Sequence, residues 1–167
     1  MQISIVETTL ENVLHARHEL LRPDHLSSND PFEFTLSSAD LSEVAIHLLA
    51  SANGQTIGTL SAGPEYCPFK PSNNSWRSRG LGVHRDMRKQ GIATALMKTV
   101  ILKAHKRGAS AVWGNPLVSV ALHACKHLGY EAIGEQYDIP PFGGHQNMIC
   151  YLTDELISFI SSDRIGA

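Results

Sequence analysis

The 167-residue chain carries 14 Lys and Arg against 16 Asp and Glu, for a formal net charge of -2. That balance gives no general attraction to nucleic acid or to an anionic membrane, so neither is an expected partner and any positive site has to be local. With 43% hydrophobic and 18% charged residues, the composition is globular and the length suits a single domain over residues 1–167.

The opening stretch, MQISIVETTLENVL, has no basic segment ahead of an apolar core and so does not resemble a secretory signal. Within it, ISIV (3–6) is a short β-branched run, and Thr8 with Glu11 three positions later has the form of a capping box. Leu10, Val13, Leu14, Leu20 and Leu21 then recur at helical spacing until Arg22-Pro23 stops the pattern. Residues 24–39 are polar and turn-rich, which predicts a loop with a short helical piece beside a binding site. From Val44, VAIHLLASA sets Val44, Ile46 and Leu48 on one face of a strand. Asn53-Gly54 separates it from QTIGTLSA and predicts a tight hairpin, because a type I′ turn needs positive φ at both central residues. Three prolines in residues 63–74 predict a surface loop.

SWRSRGLGV (75–83) reads as a strand in which Arg77, Arg79, Leu81 and Val83 alternate with smaller side chains. Ile92, Leu96 and Val100 at steps of four, with Ala93, Met97 and Ile101 adjacent, predict a helix ending at Lys106, Arg107 and Gly108. A strand over 110–115 follows, then a helix over 116–129 with Pro116 in its first turn. A strand over 130–137, a loop holding Pro140-Pro141 and Gly143-Gly144, a strand near 147–152 and a short helix over 153–160 complete the chain. This mixed order implies an α/β sheet with helices on both faces. No apolar run approaches the ~20 residues that cross a bilayer. Cys67, Cys125 and Cys150 are odd in number, widely spaced and without a CxxC pair, which argues against a disulfide framework or zinc ribbon and for a cytoplasmic setting.

Chemistry concentrates at the mouth of the helix that follows residue 91. The first turn of a helix leaves backbone N–H groups without acceptors at the positive end of the dipole, where an anion is stabilised. Gly91 and Ala93 keep the turn thin, Arg88 and Lys89 add charge at its rim, and Thr94 offers a hydroxyl. The stretch is neither G-x-x-x-x-G-K-[ST] nor a G-x-G-x-x-G after a first strand, so a nucleoside triphosphatase and a dinucleotide fold are not expected. From these residues alone, an anion cradle and a solvated basic turn capping an ordinary helix both stand.

Arg88, Gly91 and Ala93 also fill the pattern [RQ]-x-x-G-x-[GA] after a strand ending Leu81-Gly82-Val83. RHELLRP (17–23), VWGN (112–115), GYEAIGEQY (129–137) and GGHQNM (143–148) accompany it in order. On these residues the chain resembles the GNAT superfamily of acyl-CoA-dependent N-acetyltransferases over nearly its whole length. The resemblance implies a mixed, mostly antiparallel sheet with splayed fourth and fifth strands. It implies an enzyme that moves an acetyl group from acetyl-CoA to a small-molecule or peptidic amine by direct transfer in a ternary complex. The pantetheine arm would pair along Leu81, Gly82 and Val83, and the diphosphate would rest on the turn formed by Arg88, Lys89, Gln90, Gly91, Ile92, Ala93 and Thr94. Asn115 matches a coenzyme-facing position, and the expected state is a monomer or a homodimer, the sixth and seventh strands forming the dimer in some members of the superfamily.

Transfer to an amine needs a base, because an ammonium of pKa ~10.4 has no lone pair, and a donor for the developing oxyanion, which the resemblance assigns to the Val83 N–H. Where many relatives carry a tyrosine as the acid for the leaving thiolate, this chain has Cys125, a weak proton donor or a packing residue. The resemblance offers Glu135 and His145 as bases. Glu135 serves equally as a partner for an arginine such as Arg79, and His145 as a residue that orders its loop. Glu33 and Glu65 lie in loops that border the same region. His123 and His127 stand at i and i+4 on a helix but lack the H-E-x-x-H glutamate and a third ligand, so no metal is expected. The missing tyrosine keeps a second class in view, a non-catalytic acyl-CoA-binding module.

Overall fold

The computed structural model describes residues 1–21 and 35–162. In chain order its elements are β1 (Ser4–Glu7), α1 (Leu10–Leu21), α2 (Ser38–Leu41), β2 (Ile46–Ala52), β3 (Gln55–Pro64) and β4 (Ser75–Val83), then a 3-10 turn (Arg85–Met87). They continue with α3 (Ile92–Lys106), β5 (Ala111–Gly114), α4 (Val118–His127), β6 (Glu131–Ile139), β7 (Gly143–Tyr151) and α5 (Asp154–Ser162). One seven-stranded sheet holds them in the order β1-β2-β3-β4-β5-β7-β6. All neighbouring strands are antiparallel except β4 and β5, which run parallel.

The β2–β3 hairpin closes through Asn53 (φ 53) and Gly54 (φ 76), with Ala52 opposite Gln55, as a type I′ turn requires. Ile46, Leu48 and Ala50 are fully buried, while Val44 precedes the strand and is half-exposed, so the buried alternation starts two residues later than the apolar pattern suggests. The cap of α1 is also displaced by one residue. Thr9 Oγ1 accepts the Asn12 N–H at 3.3 Å, and Thr8 Oγ1 accepts from the Asn12 side chain at 2.7 Å, so Thr9 takes the capping position and Glu11 does not close a box with Thr8. Pro116 falls before α4, whose N-cap is Leu117. The proline carbonyl instead accepts the Gln146 N–H at 3.2 Å, and Leu117 bridges to His145, which ties the start of α4 to β7 and keeps Pro116 outside the helix.

β6 and β7 are longer than the sequence suggests, because Asp138 pairs with Gly144 and Ile139 with Gly143 right up to the cis Pro140-Pro141 turn. Most of the loop expected there is therefore strand. Residues 22–34, which include Pro23, Glu33 and most of the loop anticipated over 24–39, lie outside the described residues; the short helical piece expected beside them is α2.

The sheet separates two layers. Ile46, Leu48, Leu60, Trp76, Val112, Met148 and Cys150 join Ile92, Leu96, Val100 and Ile101 of α3 in the main core. The residues between them in sequence, His47, Thr59, Ser61, Arg77 and Trp113, face the other layer, where α1 and α2 contact β3 and β4. No helix among the described residues is long and apolar enough to cross a membrane.

Candidate active site

β4 and β5 pair only at Ser75 with Ala111, Trp76 with Val112 and Arg77 with Trp113. Ser78 and Gly114 still touch: a Cβ on Gly114 would come within 3.0 Å of the Ser78 carbonyl oxygen. Beyond that point β5 ends and β4 runs on to Val83, leaving a wedge. A cleft of about 430 Å³ lies there, lined by Arg17, Arg77, Arg79, Leu81, Asn115, Cys125, Tyr130 and His145 among others.

A bulge shapes the open edge. Thr59 faces Gly82 and Ser61 faces Arg79, so Leu60 opposes both Gly80 and Leu81. Gly80 adopts φ +71, and a Cβ there would stand 2.2 Å from Arg17 Nε. The extra residue inverts the side-chain alternation. Arg77 and Arg79 face the α1–α2 layer, whereas Leu81 and Val83 turn into the α3 core, which corrects the uninterrupted alternation suggested by the sequence. The backbone groups sort accordingly. His84 donates its N–H to the Ile57 carbonyl at 2.8 Å, so strand alternation turns the polar groups of Val83 and Leu81 away from β3 and those of Gly82 toward it. Gly82 instead provides room for α1: its Cβ would meet Leu20 at 3.1 Å and Leu21 at 3.2 Å.

The turn after β4 has the shape of an anion nest. Lys89 (φ 61) and Gly91 (φ 80) are left-handed, and Gly91 is the N-cap of α3. A Cβ on Gly91 would meet nothing within 4 Å, so conformation and not crowding calls for glycine at this position. The first-turn N–H groups from Ile92 onward have no carbonyl one turn earlier in the helix to accept them. Arg88 folds back and donates from Nε to the Val83 carbonyl at 3.2 Å, joining the turn to the cleft edge. Gln90 and Thr94 lie on the same turn, and these residues fit a diphosphate through backbone N–H groups, dipole and basic rim together.

The α1–α2 wall carries a buried ionic cluster. Asp40 Oδ1 accepts from Arg17 Nη2 and Oδ2 from Arg79 Nη1, each at 2.7 Å, and the Ser37 N–H adds a bond of 3.1 Å. Burial alone would raise the Asp40 pKa, but the two guanidinium groups and Ser37 outweigh it and hold the carboxyl below its ordinary value. Glu65 accepts from Arg77 Nη1 at 2.9 Å, from the Ser38 hydroxyl at 2.8 Å and from the Ala39 N–H at 3.3 Å. Its pKa is likewise lowered against the opposing effect of burial, so it is a bound counter-ion and a poor base. The Arg77 guanidinium lies 4.9 Å from the centre of the Trp113 ring, and its Nη2 approaches Asn115 Oδ1 at 3.5 Å.

Of the candidate acid and base residues, Cys125 and His145 line the cleft and Glu135 does not. Glu135 is exposed on the edge strand β6, within a bulge whose Ile133 and Gly134 carbonyls accept from Gln146 Nε2. Arg79, considered above as its partner, is held by Asp40 and the Thr35 carbonyl. Burial pushes the Cys125 thiol up to about 12. His145 Nδ1 lies 2.8 Å from the Gly143 carbonyl. A carbonyl only accepts, so Nδ1 is the donor in this bond, and in the neutral ring Nε2 carries the lone pair. Tyr130 was not singled out in the sequence; it lines the cleft, and burial raises its pKa well above the ordinary phenol value. Arg17 and Asp40 also escaped notice, although two arginines in the middle of a strand signal that buried counter-charges must exist. His123 and His127 are exposed on α4, and the described residues hold no group of three or more metal-ligating side chains.

Residues 14–130 match the family described as Acetyltransferase (GNAT) family. An uncharacterized N-acetyltransferase of Bacillus subtilis (strain 168), YitI, is 28% identical over 143 residues, which is 86% of this chain and 92% of that protein. The ribosomal-protein-S18-alanine N-acetyltransferase of Escherichia coli superposes with a TM-score of 0.66 at 16% identity, covering 91% of this chain and 95% of that one. The Salmonella typhimurium protein yncA, solved with its cofactor acetyl-CoA, superposes with a TM-score of 0.63 at 13% identity, covering 91% and 95%.

Proposed function

We propose, from the premise that this chain belongs to the GNAT family of acetyltransferases, that it transfers an acetyl group from acetyl-CoA directly to an amine bound in the same cleft. The observation that carries the proposal is the divergence of β4 from β5 after Arg77 and Trp113, which opens a cleft along the strand that leads on to the nest at Gly91. Bound acetyl-CoA would supply the activated acyl group as a thioester. Gln90, Gly91, Ile92, Ala93 and Thr94 hold the diphosphate through N–H groups, with Arg88 and Lys89 at the rim. Leu81 and Val83 present backbone groups to the pantetheine arm, and the Val83 N–H serves the developing oxyanion. Asn115 lies beside the same arm.

His145 Nε2 takes the ammonium proton, directly or through one water, because the tautomer set by Gly143 leaves that nitrogen basic. Cys125 is a packing residue in this scheme. A thiol near 12 is a weaker acid than the CoA thiol it would have to regenerate, whose ordinary pKa is ~8.5, so the leaving thiolate departs without a donor and takes its proton from solvent. The same weakness at Cys125 favours one second reading, a module that binds acyl-CoA without turnover. We assign the protein to the cytoplasm, supported by three buried cysteines that are all free thiols.

Calorimetry with acetyl-CoA tests the nest. Wild-type protein is expected to bind and Gly91→Glu to lose binding, since its carboxylate enters the diphosphate seat; equal affinity would overturn the assignment. Release of CoA thiol with a panel of amines separates the two functions, because sustained turnover excludes a module that only binds.

A further inference from the structure

Three arginines, Arg17, Arg77 and Arg79, line the cleft, and among the described lining residues none is acidic. Behind them stand two carboxylates, Asp40 and Glu65. Among the described residues one guanidinium charge is thus left without a counter-ion. His47 adds none, since burial and then the Arg17 charge lower its pKa.

The three cations are not equally available. The Arg17 side chain is 2% exposed and locked to Asp40, whereas Arg77 and Arg79 are 23% and 20% exposed. Arg77 gives Nη1 to Glu65. Its Nε is buried with no hydrogen-bond partner among the described residues, and its Nη2 has only the 3.5 Å approach to Asn115. Nε and Nη2 form one edge of the planar fork, the edge that receives a carboxylate side-on through two parallel bonds once the side chain turns from Asn115 and opens the buried Nε to the cleft. A buried N–H left unpaired is uncommon in a native protein and needs a cause. Arg79 follows two residues along the same face, ~7 Å away at strand rise, as a second cation. Coenzyme phosphates do not compete for this edge, because residues 88–94 are absent from the lining of the cleft.

We infer that the acceptor is a small amine that also bears a carboxylate, of the free amino acid class, with that carboxylate on the Nε–Nη2 edge of Arg77 and Arg79 beside it. A single uncompensated charge suits a monoanion better than a phosphate dianion. An acceptor that is a polyamine would meet three guanidinium groups and, among the described residues, no lining carboxylate. The inference rests on the acetyl-transfer function. In that reaction the ammonium gives up one proton before attack, the amine nitrogen bonds to the acetyl carbon as the C–S bond breaks, the same nitrogen then loses a second proton, one proton is taken up by the thiolate, and an N-acetyl amino acid, CoA thiol and one released proton result.

Thiol release from acetyl-CoA is measured with free amino acids, their carboxamides and their decarboxylated amines. Wild-type kcat/KM is expected to favour each carboxylate over its two counterparts by about 10- to 100-fold, the range for a lost charge-assisted pair of bonds. In Arg77→Gln that ratio should fall to within about threefold of unity, and Arg77→Lys, which keeps charge but not the fork, should lie between. Thermal melts and acetyl-CoA calorimetry show whether each variant is folded with its coenzyme seat intact. If Arg77→Gln does not fold, the fall in Arg77→Lys decides. Three results would overturn the inference while leaving acetyl transfer standing or testable by itself: equal turnover of the uncharged counterparts, a ratio that survives substitution of Arg77 in folded protein, or no thiol release with any carboxylate acceptor by protein that binds acetyl-CoA. Failure to bind acetyl-CoA overturns the acetyl-transfer function itself, and this inference with it.

Discussion

Replacing Asp40 with asparagine strands a guanidinium group in the protein interior. Asp40 and Arg17 have side chains 1% and 2% exposed and meet at 2.7 Å, so neither reaches water without local unfolding. The same carboxylate takes Arg79 at 2.7 Å and the Ser37 N–H at 3.1 Å. Removing one member of a buried ion pair costs about 3–5 kcal/mol, mostly because the survivor stays desolvated and unpaired. A domain of this length loses roughly 2–4 °C in melting temperature per kcal/mol. An asparagine keeps one acceptor oxygen, which points to the lower part of the combined range, a fall of about 10 °C. Thermal denaturation followed by far-ultraviolet circular dichroism at neutral pH reads this directly. The double variant Arg17→Met, Asp40→Leu removes both fully buried charges, while Arg79 is exposed enough to find solvent, so it should recover more than half of the loss. Melting of Asp40→Asn within about 2 °C of wild type, or of the double variant below the single one, would refute the reasoning.

Acid should erase this difference. The Asp40 pKa is lowered in the fold, because the guanidinium groups outweigh the burial that would raise it. Its contribution is therefore present above the unfolded carboxylate value of ~3.9 and disappears as pH falls through the lower folded value; melting curves of wild type and Asp40→Asn should converge below about pH 4, and parallel curves would contradict this. Gly91→Ala should cost about 1–2 kcal/mol, from left-handed backbone alone. Gly80→Ala should cost more than about 3 kcal/mol, since its Cβ also meets the buried Arg17 side chain; chemical denaturation of the two variants tests the order. Cys125→Ala should keep thiol release within about threefold of wild type, as expected of a packing thiol, and a tenfold loss of kcat at unchanged acetyl-CoA affinity would restore the cysteine to the mechanism.

Local chemistry was legible in the sequence where one short segment settles its own conformation. Asn53-Gly54 needs no partner to favour a type I′ turn, and Arg88 to Ala93 shows its glycine, its basic rim and the apolar face of α3 within one stretch. Features that depend on a second strand were hidden. SWRSRGLGV alternates without interruption as a string, and only the pairing of Thr59 with Gly82 and Ser61 with Arg79 reveals the extra residue at Gly80. The same holds for β6 and β7, where glycines and prolines suggested a long loop but cross-strand pairing continues to Gly143. Partners of the arginines were unreadable for a related reason: Asp40 lies 39 residues before Arg79, in a four-residue helix with little periodicity of its own.

The bulge at Gly80 joins the two halves of the site through one residue. Without it, strand alternation would keep Leu81 and Val83 on the same face as Arg77 and Arg79. Apolar side chains would then crowd the charged wall, and Gly80 and Gly82 would face the α3 core with nothing to pack there. With it, the apolar pair packs beneath α3 while the arginines remain at the cleft. The missing Cβ is what admits the Arg17 side chain against the strand, and Arg17 in turn shares Asp40 with Arg79. The glycine that bends β4 and the ion cluster that fixes its arginines therefore require each other: a side chain at position 80 would displace Arg17, and displacing Arg17 would leave Asp40 to Arg79 alone in a setting too buried for water to compensate.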